Sequence, residues 1–165
     1  MIIGLSVETF TQLHVLISLI GIVTGLVALL GMLASKRPDG WTKAFLITTI
    51  LTTATGFMFP IIGFTPALAT GVAAAAVLAL AVLAYLVFNL NGRWRAIYVI
   101  AAVAALWLNC FVLVVQTFQK IEFVSALAPT QTEPPFLVAQ VLVLGLFVVL
   151  GALAVKRFHP TFQAT

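Results

Sequence analysis

Charge is what this sequence has least of. Its 165 residues include eight Lys or Arg and four Asp or Glu. A soluble domain is about 25% charged and about 45–50% apolar, whereas this chain is 7% charged and 63% hydrophobic. So few ionised side chains cannot cover a water-soluble globule of this length. A soluble enzyme, a disordered chain and a nucleic-acid-binding domain are therefore excluded. Cysteine is scarcer still. The single Cys110 leaves no partner for an internal disulfide or a C-x-x-C redox pair, and its apolar neighbours mark it as a buried, inert thiol. Histidine occurs only at His14 and His159. No His, Cys, Asp or Glu cluster has metal-ligand spacing, and there is neither a phosphate loop nor a nucleophile elbow, so no cofactor is expected.

What the chain does have is long apolar runs, and turn residues divide them into five. The runs cover about 13–34, 43–59, 66–90, 95–118 and 136–155, separated by Lys36-Arg37-Pro38-Asp39-Gly40, Pro60, Asn91-Gly92 and Pro134-Pro135. At 1.5 Å per residue each is close to or above the length needed for a ~30 Å hydrocarbon core. The second run is the shortest and could extend toward Ile62. Thr65-Pro66 reads as an N-cap followed by proline at the first helical position. The expected fold is all-α: one polytopic transmembrane helical bundle over residues 1–165, with an outer loop at 120–135. The N-terminus lacks a basic signal-peptide region, and the first run ends in Ser35-Lys36-Arg37, so it reads as a retained span.

The basic residues predict an orientation. With the first turn in the cytoplasm, Lys36, Arg37, Lys43, Arg93, Arg95, Lys156 and Arg157 lie inside and only Lys120 outside. That asymmetry fits an odd number of spans, with the N-terminus out and the C-terminus in. Asp39 joins the inner side, and Glu8, Glu122 and Glu133 the outer. Trp41, Trp94 and Tyr98 stand where an inner aromatic belt belongs. The net charge of +4 is accounted for by this bias without an anionic partner.

In lipid, small and polar residues mark the faces where helices meet. His14, Ser18, Gly21, Gly25, Ala28 and Met32 form one stripe on the first span. The second is threonine-rich on one side, at Thr48, Thr49, Thr52, Thr53 and Thr55, with Leu46, Ile50, Ala54 and Phe57 on the other. The fourth aligns Tyr98, Ala102, Ala105, Asn109, Gln116 and Lys120 within about 40°. A primary amide has four hydrogen-bonding sites that hydrocarbon cannot satisfy, so Asn109 and Gln116 must face helices or water. Asn109 stands about 21 Å from Arg95 along a helix, and His14 about 33 Å from Lys36. His14, Ser18, Thr52, Thr55, Asn109, Gln116 and Gln140 are thus expected together in the outer half. Above them lies the loop that carries Lys120, Glu122, Gln131 and Glu133. Its 121–128 segment reads as a short amphipathic helix over the bundle mouth, followed by a stiff turn at 129–135.

Asp39-Gly40-Trp41-Thr42 followed by Thr55-Gly56-Phe57-Met58-Phe59-Pro60 forms one recognisable stretch, and Ala126-Leu127-Ala128-Pro129-Thr130-Gln131-Thr132-Glu133-Pro134-Pro135-Phe136 another. With Asn109-Cys110-Phe111-Val112 and Gln116-x-Phe118-x-Lys120, the chain resembles a group of uncharacterised small proteobacterial inner-membrane proteins over most of its length. The resemblance implies a multi-pass protein of the bacterial inner membrane and brings no activity, ligand or catalytic residue.

Several functions are weakened by placement. His14 and His159 belong to opposite ends and cannot share one haem. None of Glu8, Asp39, Glu122 or Glu133 falls inside a span, Lys120 is at an edge, and five spans do not form a two-fold inverted repeat, which disfavours a coupled transporter. His14 with Glu8, Glu122 or Glu133 could form an acid–base pair, but a hydrogen-bonded packing histidine is the simpler reading. Two roles stay open, and the first, which needs fewer special claims, ranks ahead of the second. One is a non-catalytic accessory or structural subunit docked on a membrane-protein partner or on a second copy. The other is a binding protein for a quinone or lipid in the outer-half pocket. The lipid bilayer is a partner in both.

Overall fold

The computed structural model describes residues 1–60, 63 and 65–160. Six α-helices follow one another: α1 Val7–Leu33, α2 Asp39–Phe57, α3 Pro66–Val82, α4 Arg93–Lys120, α5 Glu122–Ser125 and α6 Pro134–Arg157. A π-helical turn, Leu83–Val87, continues α3, and there is no strand among the described residues. Among the described residues four helices are long and apolar enough to cross a membrane: α1, α3 with its π turn, α4 and α6. Such a bundle fits an integral membrane protein. The threonines and Lys43 of α2 dilute its apolar character, and it is not among those four.

Local chemistry explains most helix ends. The Ser6 hydroxyl accepts from the Thr9 amide at 3.0 Å and starts α1 six residues before the expected span. Thr65 caps α3 by accepting from the Leu68 amide, with Pro66 in the first turn, as its sequence signature predicts. At the other end, the expected span to residue 90 gives way to the π turn and stops at Val87. Asn89, Leu90 and Gly92 then adopt positive φ and reverse the chain into α4. The second helix ends at Phe57, and Ile62, toward which it could have run, lies outside the described residues.

The fourth helix is the hub, packing against α1, α3 and α6, while α2 pairs with α1 and also touches α3. Tyr98, Val99, Ala102, Ala105 and Leu106 of α4 are buried against Ala28, Leu29 and Met32 of α1 and Phe45 and Leu46 of α2. Leu46, placed on the side of α2 opposite the threonines by its pattern, is buried together with Thr49. Two glycines permit the close approach. A Cβ at Gly25 would lie 2.7 Å from Leu106 and Phe45, and one at Gly31 would lie 2.5 Å from Pro38.

This packing concentrates at one end, where α1, α3 and α6 finish and α2 and α4 begin. Tyr85 of the π turn donates to the Asp39 carboxylate, which Arg37 also holds at 2.7 Å. Arg95 donates to the Val155 and Phe158 carbonyls and closes the end of α6. The His159 amide donates to Ser35 Oγ at 3.0 Å. The seven basic residues read as cytoplasmic gather at this end. The sixth helix is buried only at Phe147 and Ala154, so much of its surface is an exposed apolar face.

Candidate functional site: a cavity at the open end of the bundle

The opposite end is hollow. The start of α1, the end of α2, the start of α3 and the end of α4 diverge around a cavity of about 530 Å³. A ligand site of several hundred Å³, apolar with a few convergent polar groups, has this character. Ile22, Phe57, Leu68 and Leu108 supply apolar wall, and His14, Thr52, Asn109 and Gln116 supply polar groups.

His14 is fixed by its neighbours. Its Nδ1 lies 2.7 Å from Thr55 Oγ1, and its ring meets Phe59 edge-on, with centroids 5.4 Å apart. Phe59 also packs against the buried Phe10, so an aromatic pair backs the imidazole. Thr55 in turn donates to the Leu51 carbonyl one helical turn earlier, at 2.7 Å. Ser18 spends its hydroxyl hydrogen on the His14 carbonyl at 2.7 Å and offers the cavity only an acceptor.

Two groups on the cavity walls are unsatisfied. Asn109 Nδ2 on α4 and Thr52 Oγ1 on α2 are shielded from water and have no hydrogen-bond partner among the described residues. A buried polar group without a partner costs about 1–3 kcal/mol. A half-turn about the last side-chain bond exchanges the two ends of the Asn109 amide, so the cavity can meet either a donor or an acceptor there. Lys120 lines the mouth, and no carboxylate is among the lining residues.

Of the residues expected together, His14, Ser18, Thr52, Asn109, Gln116 and Lys120 line this cavity, and Thr55 stands behind His14. Gln140 does not. It lies on α6, across α4 from the cavity, where its Nε2 donates to the Phe111 carbonyl at 3.3 Å. Its Oε1 is buried there without a partner among the described residues. The loop is also elsewhere. None of residues 121–135 lines the cavity, and the helix over the mouth reduces to the single turn of α5. Ala128 is fully buried, Gln131 Nε2 donates to the Val115 carbonyl, and Phe118 meets Phe136 edge-on. These contacts draw the loop onto the α4–α6 side. Glu122, which begins α5, takes no part in the cavity. Glu133 accepts from Thr130 and Thr132 and orders the turn before α6.

Sequence reasoning missed the α3 wall, made of Thr65, Leu68, Thr70, Gly71 and Ala74, and also Thr11 and Gln119. Thr70 and Gly71 were the available signals, a hydroxyl and a missing side chain on an otherwise aliphatic helix. Phe57, placed on the side of α2 opposite the threonines, contributes to the wall beside Gly71. The chain matches no family of known proteins, no curated protein and no solved structure.

Proposed function

We propose that this protein binds a small lipophilic molecule within the membrane, at the cavity between α1, α2, α3 and α4. One contrast carries the reading. The basic end of the bundle is filled with buried side chains, whereas the other end leaves about 530 Å³ open, lined by His14, Thr52, Asn109 and Gln116 among apolar side chains. A ligand that brings a polar head to those four residues and an apolar body to Phe57, Leu68 and Leu108 satisfies both parts of the wall. In this reading α2 is a fifth span, because it runs antiparallel beside α1 between the same two ends. The N-terminus and the cavity face outward and the basic end faces the cytoplasm, as the positive-inside bias predicts. The bacterial inner membrane is the location proposed from the resemblance.

The accessory-subunit reading rests on the exposed apolar face of α6, which contact with lipid already explains. The deciding experiment is native mass spectrometry of gently extracted protein. A bound small molecule is expected in the wild type and is expected to be lost in Asn109→Leu, with the bundle still folded. Protein that carries no adduct from native membranes overturns the binding reading.

A further inference from the structure

The hydrogen atoms around His14 define the ligand more narrowly. Thr55 has one hydroxyl hydrogen, and the Leu51 carbonyl stands 2.7 Å from its oxygen to receive it. Thr55 Oγ1 is then the acceptor in its 2.7 Å contact with His14, and Nδ1 carries the proton. This arrangement leaves neither hydrogen unplaced. The cavity wall holds no carboxylate to pair with an imidazolium, so the ring is neutral and Nε2 bears a lone pair. Nε2 is not among the shielded atoms and has no partner among the described residues.

Resting on the cavity as a binding site, we propose that its ligand is an uncharged amphiphile whose head carries a hydroxyl, which donates to His14 Nε2. Asn109 takes whatever donor or acceptor stands beside that hydroxyl. The head that meets His14 and Asn109 is uncharged, because no carboxylate is among the lining residues and the lining cation, Lys120 at the mouth, lies eleven residues past Asn109, about 16 Å along the helix. Reduced quinones and acylglycerols share this chemistry. Acceptor-only molecules of the same shape lack the donor that His14 requires.

The test uses the full chain in lipid nanodiscs and two matched pairs: a decyl-chain benzoquinol, held reduced, against its quinone, and monooleoylglycerol against propyl oleate. In at least one pair the hydroxyl form is expected to bind about tenfold more tightly, the effect of one well-made hydrogen bond in a dry site. The pair that responds identifies the class. Equal binding within every pair that binds overturns this proposal and leaves the cavity as a lipophile site. Failure of all four probes to bind overturns both. A second measurement needs no ligand. In protein with ¹⁵N-labelled histidine and His159→Gln, the His14 ring is expected to show a protonated Nδ1 and a bare Nε2. A proton on Nε2 overturns the proposal. Thr55→Val removes the group that fixes the tautomer and is expected to abolish the preference for the hydroxyl form; an unchanged preference counts against it.

Discussion

Tyr85 donates its phenolic hydrogen to Asp39 across 46 positions of sequence, tying the π turn after α3 to the first residue of α2. The Arg37 guanidinium lies 5.1 Å above the same tyrosine ring and also holds Asp39 at 2.7 Å. Burial alone would raise the pKa of the Asp39 carboxyl. The hydrogen bonds from Tyr85 and Arg37, with the charges of Arg37 and Lys43, outweigh it and hold the group below the ordinary carboxylate range.

The consequence is an acid-sensitive latch at the basic end. A carboxyl with a lowered folded-state pKa adds stability that is complete above its unfolded pKa. That stability is lost as pH falls through the folded value. Tyr85→Phe and Asp39→Asn are expected to lower the unfolding temperature in detergent at neutral pH. The cost for Tyr85→Phe is about 1 kcal/mol, because the carboxylate it leaves is half exposed and regains water. The gap between wild type and Asp39→Asn should close as pH drops below the carboxylate range. A gap that stays constant down to strong acid would show that the ionised carboxylate is not the stabilising species.

Gly25 and Gly145 make an internal comparison. A methyl group at Gly25 would meet Leu106 and Phe45 at 2.7 Å, whereas one at Gly145 would meet nothing within 4 Å. Overpacking in a filled core costs about 1–3 kcal/mol, so Gly25→Ala should destabilise by that order. Gly145→Ala should be neutral, or slightly stabilising through helix propensity. Thermal unfolding of the two variants side by side checks the close packing of α1, α2 and α4.

Orientation is tested by accessibility. Ala34 and Ala126 are exposed at opposite ends of the bundle. In a Cys110→Ala background, cysteine at 126 should react in intact cells with a membrane-impermeant maleimide. Cysteine at 34 should react only after the membrane is opened. The reverse pattern would place the cavity on the cytoplasmic side.

How much of this could be read from sequence depends on what each residue reports. The α4 stripe was legible because small and polar residues recur at helical spacing in an apolar background. Tyr98, Ala102 and Ala105 are buried in the core, and Asn109, Gln116 and Lys120 of the same stripe face the cavity. Gln140 shows the limit. Counting residues from a helix end gives depth but not direction around the bundle, and α6 packs on the side of α4 away from the cavity. The loop was misplaced for the same reason. Its amphipathic pattern says that one side is covered, and only the Gln131–Val115 and Phe118–Phe136 contacts say by what. The π turn carries no local signal at all: no glycine or proline lies in Leu83–Val87.

Asn109 gives the last prediction, and its two halves have opposite signs. Its Nδ2 is buried without a partner among the described residues. Leucine has nearly the same shape and nothing to satisfy, so Asn109→Leu should leave the ligand-free protein as stable as wild type or more stable, by up to about 1–3 kcal/mol. The ligand-bound protein should respond the other way. A ligand stabilises in proportion to the logarithm of its concentration over its dissociation constant, and the variant should lose most of that gain. Unfolding temperatures with and without the extracted lipophile would therefore cross between the two proteins. If Asn109→Leu destabilises the empty protein instead, the amide is fastening helices and the cavity has lost its principal polar contact.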